Sequence, residues 1–190
     1  MNLNPYQIIN VLWSIIAILW LAGGFINKPT ARTQTPSSRW FQIAALILAF
    51  TLMFKQRMSI GILAHRFVPG SPLVTNTGLL LTCAGILFAA WARITLGRNW
   101  SASVTVKQDH ALIRRGPYSI VRHPIYSGLL LAMLGTALVI GQVRCLLATA
   151  ILFVAWSIKL RIEETFMLQQ FGPEYAQYQR EVKGLIPLVF

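Results

Sequence analysis

Residues 124–158 read PIYSGLLLAMLGTALVIGQVRCLLATAILFVAWSI, two apolar runs parted only by Gln142, Val143 and Arg144. A link this short sends the chain straight back, so the stretch is expected to form an antiparallel helical hairpin from Pro124–Gly141 and Cys145–Ile158. Crossing roughly 30 Å of hydrocarbon takes about 20 apolar residues. Both arms fall short of that, and the hairpin is expected to sit tilted or shallow.

Working outward, three more apolar segments precede the hairpin. The first runs from about Tyr6 to Ile26 without a charged side chain and is followed by a polar linker, Asn27 to Arg39, rich in Thr, Ser and Pro. The second begins at Trp40, an interfacial anchor by type. Its strongest part ends at Phe54, Lys55 and Arg57 interrupt it, and apolar character resumes from Ile60 to Ala64. Either a tilted helix or snorkelling charges are expected there. The third extends from about Leu73 to Leu96 with Arg93 near its end, and the most polar stretch of the chain, Gly97 to His123, follows. After the hairpin, Lys159 to Phe190 reads as a charged amphipathic tail. Gly172 and Pro173 there end one helix and start another.

Composition agrees with lipid as the solvent. The chain is 55% hydrophobic and 12% charged, where a soluble domain carries about 25% charged residues. A net charge of +12 would suit nucleic acid, but the Lys and Arg residues are scattered between apolar runs and form no basic face. No nucleic-acid partner is expected, and contact with anionic membrane lipids is. Cys83 and Cys145 each lie in an apolar run, away from any second cysteine or histidine, so neither a disulfide framework nor a metal site is implied. The first apolar run has no basic segment or small-residue cleavage site before it and is read as a retained span.

The expected fold is an all-α membrane bundle of about five transmembrane helices, the last two a hairpin, with a cytosolic C-terminal helical cap. Placing the N-terminus outside puts thirteen of the 17 Lys and Arg residues on the cytoplasmic side. Only Lys55, Arg57, Arg66 and Arg144 fall on the other. The positive-inside bias therefore favours a multi-pass protein of the cell (inner) membrane, with both polar segments in the cytosol.

Two segments carry the chemistry. Glu163 and Glu164 follow an apolar helix, with Lys159 one turn earlier on the face of Glu163. Ionisable groups at the mouth of a membrane helix are functional candidates, or a solvated turn with ordinary ion pairs. The other segment runs from Arg114 to Tyr126. Pro124 holds His123 extended and opens the next helix, which leaves Arg122 and His123 at a helix N-terminus suited to an anion. Trp13, Trp20, Trp91 and Trp156 read as packing or interfacial residues. Gly23 and Gly24 either ease helix approach or end the first span. Tyr175 and Tyr178 read as packing the tail, and Arg114 and Arg115 as facing phospholipid.

Five motifs then occur in order: Leu96-Gly97-Arg98-Asn99-Trp100-Ser101, His110 through Tyr118, Arg122-His123-Pro124-Ile125-Tyr126-Ser127-Gly128, Glu163-Glu164, and Phe171 through Tyr178. Together they resemble the isoprenylcysteine carboxyl methyltransferase family and its prokaryotic relatives, over about residues 75 to 190. The resemblance implies an S-adenosylmethionine-dependent membrane methyltransferase whose lipophilic acceptor enters from the bilayer. It divides the chain into residues 1–72, N-terminal helices and linkers, and 73–190, a methyltransferase core with the cofactor pocket. Carried over by position, His110 and Leu112 line the adenosine site, Tyr118, Arg122, His123, Pro124 and Tyr126 surround the cofactor, and Glu163 and Glu164 meet its amino or ribose groups. Lys159 or Arg161 orients an acceptor carboxylate, with Arg122 and Glu163 beside the reacting groups. An isoprenylcysteine-like carboxylate is the leading acceptor. A phospholipid amine or a thiol, an NADPH-dependent sterol-reductase-like enzyme and a non-catalytic ligand-binding membrane protein are the alternatives.

Overall fold

A computed structural model describes residues 4–24, 30–33, 35–55, 61–97, 105–107 and 112–187. The helices among them are α1 (Pro5–Gly24), α2 (Pro36–Phe54), α3 (Pro72–Leu96), α4 (Pro124–Ile140), α5 (Val143–Phe171) and α6 (Pro173–Glu181). All but α5 open on a proline, which loses nothing by lacking an amide hydrogen in the first turn and arrives with a helical φ. At α3 the Ser71 side chain also accepts from the Val74 amide at 3.3 Å, capping one of the first-turn donors.

Four of these helices, α1, α2, α3 and α5, are long and apolar enough to cross a membrane, and α4 is a shorter apolar helix. The chain is an integral membrane protein with the helical architecture expected. One small addition is an antiparallel ribbon of β1 (Thr30–Thr33) and β2 (Thr105–Lys107), which pairs Thr30 with Lys107 and Thr33 with Thr105. The ribbon ties the α1–α2 linker to the loop after α3.

The hairpin differs from its expected form in one arm. It is antiparallel, and Gly141, at φ 75°, ends α4 in the left-handed conformation that glycine adopts without a Cβ penalty. Its second arm is not short, however. α5 runs unbroken for 29 residues, because no glycine or proline interrupts it until Gly172, where φ is 52°. Lys159, Glu163 and Glu164 therefore lie on the same helix as the apolar run rather than on a separate tail.

The second span is also corrected. α2 stops at Phe54, with Lys55 extended at φ −70°, ψ 105°, and residues Gly61–Ala64 form a 3₁₀ turn. A physical cause lies across the bundle. Arg144, 4% exposed, donates from Nη1 to the Leu52 carbonyl and to the Met53 carbonyl at 3.1 Å. Those are carbonyls at a helix end, which have no partner within the helix.

The bundle is held along an α3–α4 seam of small residues. Gly78 and Gly85 on α3 meet Gly135 and Gly128 on α4. A Cβ on Gly78 would lie 2.7 Å from the Gly135 carbonyl oxygen, and one on Gly128 would lie 2.6 Å from that of Gly85. In lipid the hydrophobic effect drives no helix pairing, so such backbone approach and its packing replace it. Thr82 and Thr136 lie fully buried in the seam, their hydroxyls 3.4 Å apart and each donating to a carbonyl of its own helix. Trp13 of α1 donates its indole N–H to Thr136 Oγ1 at 3.0 Å. One aromatic side chain thus docks α1 onto the seam and has its polar atom satisfied there.

Candidate active site

The start of α4 and the last third of α5 come together at the bundle end opposite the hairpin link. α6 and the segment after it pack over them. Pro124, fully buried at the first turn of α4, fixes the turn that carries Arg122 and His123. The backbone of that turn is clamped from the C-terminal side. The Arg122 amide donates to the Lys183 carbonyl at 2.8 Å, and the His123 amide to that of Gly184 at 2.9 Å. Ser127 Oγ adds a bond to the Leu185 carbonyl.

The side chains form a compact charged network. Arg122 Nε donates to Glu164 Oε1 at 2.7 Å, and its Nη2 pairs with the same carboxylate at 2.5 Å. Arg122 Nη1 donates to the Val182 carbonyl and to that of Gln179 at 3.2 Å. Gln179 Nε2 in turn donates to Glu164 Oε2 at 3.1 Å. His123 Nδ1 lies 3.2 Å from Glu163 Oε2, and Tyr126 donates its hydroxyl to Glu163 Oε1 at 2.6 Å. His123 Nε2 is 3.4 Å from Glu164 Oε1 but is buried and not aligned for a hydrogen bond. Burial alone would depress the His123 pKa, but its contacts with Glu163 and Glu164 outweigh this and raise it above the ordinary histidine value.

An aromatic stack stands beside the network. The His123 and Tyr126 rings are 5.8 Å apart and nearly parallel at 6°, and Trp156 stacks on the other side of Tyr126 at 5.5 Å and 19°. Lys159 Nζ lies 5.5 Å from the Tyr126 ring centroid. Trp156, Lys159 and Glu163 all contact Tyr126. They stand at i, i+3 and i+7, so they share one helix face.

Of the residues marked from sequence, the structure gathers Arg122, His123, Tyr126, Lys159, Glu163 and Glu164. Tyr118 adjoins them. It is buried with Ala92 and Ile125, and Tyr126 packs against this group. The Tyr118 carbonyl accepts the Tyr178 hydroxyl, and burial pushes the Tyr178 phenol up to about 12, so it stays a donor. Tyr175 and Tyr178, 3% and 2% exposed, pack the tail as expected. Arg161 is exposed and off this face. Leu112 is half-buried in the irregular segment before the turn, and His110 lies outside the described residues. Arg114 pairs with Glu181 and lies 5.1 Å from the Tyr178 ring centroid. Trp156 and Gln179 were missed, as were the carbonyls of residues 182–185. The i, i+3, i+7 spacing marks Trp156; no local pattern marks the others.

The similarities follow this geometry. Protein-S-isoprenylcysteine O-methyltransferase of Schizosaccharomyces pombe is 34% identical over 117 residues, 60% of this chain and 50% of that protein. Protein-S-isoprenylcysteine O-methyltransferase B of Arabidopsis thaliana is 31% identical over 121 residues, 61% of this chain and 60% of the relative. The chain thus spans half to three-fifths of the length of these curated relatives. The solved structure of the eukaryotic intramembrane Ras methyltransferase, isoprenylcysteine carboxyl methyltransferase without a monobody, superposes with a TM-score of 0.52 at 23% identity. It covers 84% of this chain and 55% of that one, a likeness of fold. The resemblance read from the motifs is borne out by these matches. The phospholipid methyltransferase family model matches residues 73–174, more than half of the chain and every gathered side chain from Arg122 to Glu164. On that span the chain belongs to the phospholipid methyltransferase family.

Proposed function

We propose that the chain is an S-adenosylmethionine-dependent methyltransferase that esterifies a lipophilic, isoprenylcysteine-like carboxylate. The observation that carries this reading is the convergence of Glu163 and Glu164 of α5 on Arg122, His123 and Tyr126 of α4. That convergence falls within the family-matched segment, which begins at residue 73 and supports taking residues 73–190 as the methyltransferase core. The names of the relatives support an O-methyl transfer to a prenylated cysteine.

The residues present fit the cofactor. Both oxygens of Glu163 and Oε2 of Glu164 each meet one protein donor, while Glu164 Oε1 takes both Arg122 donors, and a carboxylate oxygen can accept two. Both carboxylates keep capacity for ligand amino or hydroxyl donors. His123 Nε2 is a buried polar atom without an aligned partner among the described residues, and the partly buried Trp156 ring suits a cation. Tyr118, Pro124, Leu112 and His110 complete the proposed lining. When bound, S-adenosylmethionine supplies an electrophilic methyl group on a sulfonium.

The protein's own task is then positioning. A carboxylate acceptor is already a nucleophile, so no residue need remove a proton, and catalysis rests on alignment and a water-poor setting. Lys159, the basic residue that reaches Tyr126, orients the acceptor carboxylate, and the exposed Arg161 does not. An amine or thiol acceptor would need a base. Glu163 and His123 are committed to each other and to Tyr126, which favours the carboxylate.

We place the cluster at the cytoplasmic face of the cell membrane, on the Lys and Arg asymmetry. A reporter fused at the C-terminus and active only outside would overturn that. The functional test is radiolabelled methyl transfer to a prenylcysteine analogue by detergent-purified protein. Base-labile label, with Lys159→Gln raising KM for the acceptor and Arg161→Gln leaving it unchanged, is the expected result. Base-stable label, or no transfer to any prenylcysteine, overturns the ester assignment.

A further inference from the structure

The far end of the bundle holds a cleft that gathers several polar side chains. It has a volume of about 510 Å³ and is lined by Asn4, Gln7 and Asn10 at the start of α1, and by Arg66, Gln142 and Arg144 around the hairpin link. That volume lies within the usual range for small-ligand sites, about 300–1,000 Å³. It is remote from the α4–α5 network, because the 25 residues of α3 span about 37 Å at 1.5 Å per residue.

Among the described residues, no carboxylate pairs with the arginines at this end. Arg144 is 4% exposed. Its Nε bonds Gln142 Oε1 at 2.6 Å and its Nη1 bonds the Leu52 and Met53 carbonyls, leaving Nη2 without an acceptor among the described residues. Arg66, exposed at the rim of the cleft, bonds only carbonyls among the described residues, those of Val68 at 3.2 Å and Ile140 at 3.3 Å. Neutral carbonyls satisfy hydrogen bonds but leave the net charge in place. The sequence offers no remedy nearby. Its five acidic residues are Asp109, Glu163, Glu164, Glu174 and Glu181. The four glutamates are on α5 and α6, and Asp109 lies outside the described residues. Lys55, at the end of α2, adds more positive charge to the same end. A buried cation in a membrane protein that lacks a protein counter-ion is costly unless an anion meets it.

We propose that this cleft binds a phosphate-type oxyanion, supplied by the headgroup of an anionic phospholipid in the adjoining leaflet. Arg66 and Arg144 hold the oxyanion with their forked donors, as guanidinium groups do phosphates. The side chains of Asn4, Gln7, Asn10 and Gln142 offer amide donors to the remaining oxygens. Such a ligand would clasp α1, the end of α2 and the α4–α5 link. This assignment is independent of the methyl-transfer reading.

The test is thermal unfolding of the full chain in mixed micelles containing phosphatidylglycerol or phosphatidylcholine. Phosphatidylglycerol is expected to raise Tm by about 2–4 °C over phosphatidylcholine. The rise should be lost in Arg66→Gln and in Arg144→Lys, and kept in Arg180→Gln, which alters an exposed cation at the other end. Arg66→Gln keeps the test decisive if Arg144→Lys fails to fold. An equal rise from inorganic phosphate, lost in the same variants, would support the oxyanion site and name the free ion as its ligand. Equal Tm in the two lipids, or a phosphatidylglycerol rise that survives Arg66→Gln, overturns the proposal.

Discussion

Each end of the bundle takes one arginine largely out of water, Arg144 at the hairpin link and Arg122 at the other, and satisfies it differently. At the hairpin link, Arg66 and Arg144 bond backbone carbonyls at the ends of α4 and α2. At the other end, Arg122 bonds two carbonyls and a carboxylate, and that carboxylate belongs to a set with His123, Glu163 and Tyr126. Carbonyls are fixed and neutral, so the first arrangement closes helices and is indifferent to pH. Carboxylates and an imidazole titrate and exchange partners, so only the second changes its own charge with pH. Burial of a cation is thus a poor guide to catalysis, and the chemistry of its partner is a better one.

Removing each arginine should separate the ends. Arg122→Ala leaves Glu164 as an uncompensated carboxylate whose side chain is 14% exposed. The cost should be the largest of the set, about 3–5 kcal/mol of unfolding free energy in detergent, with loss of S-adenosylhomocysteine binding. Arg122→Lys should recover little, because an ammonium cannot reproduce the fork. Arg144→Ala leaves the Leu52 and Met53 carbonyls without their donor, and should cost about 1–3 kcal/mol. Unlike Arg122→Ala, it should leave ligand affinity in the surviving folded protein unchanged. Equal effects of the two variants on ligand affinity would erase the distinction.

The contrast was only partly legible in the sequence. Apolar runs and prolines located the helices, because both act locally: Pro5, Pro36, Pro72, Pro124 and Pro173 each begin a helix. The joining of α5 to the charged segment was less visible. Lys159 to Glu164 reads as polar in one dimension, yet a helix persists through it because those side chains share a face with Trp156 and meet Tyr126. The Gly78–Gly135 and Gly85–Gly128 contacts join residues of different helices, and no periodicity within one helix predicts which partner it meets. Arg144 gave the same difficulty: a charge in a two-helix link reads as a surface residue until α2 arrives beside it. At the network, motif order found the side chains, whereas the clamp by the Val182, Lys183 and Gly184 carbonyls depends on the chain's return and has no side-chain signature.

A smaller effect sharpens the comparison through pH. The His123 pKa is raised in the folded protein, so its pairing with Glu163 and Glu164 contributes fully below the ordinary histidine value of about 6.5. That contribution is lost as pH rises through the raised folded value. The Tm advantage of wild type over His123→Gln should therefore shrink on going from about pH 6 to about pH 9, whereas the advantage over Arg144→Ala should stay level. A histidine advantage that grows with pH would mean that His123 is buried neutral.

The central claim is that Glu163 belongs to a cofactor site, and calorimetric titration of detergent-purified protein with S-adenosylhomocysteine tests it most directly. Wild type and Arg161→Gln should bind alike, and Glu163→Gln, which can still accept from Tyr126, should bind at least about tenfold more weakly through loss of a charged acceptor. Undiminished affinity in Glu163→Gln, or no binding by wild type at millimolar ligand, would contradict the account.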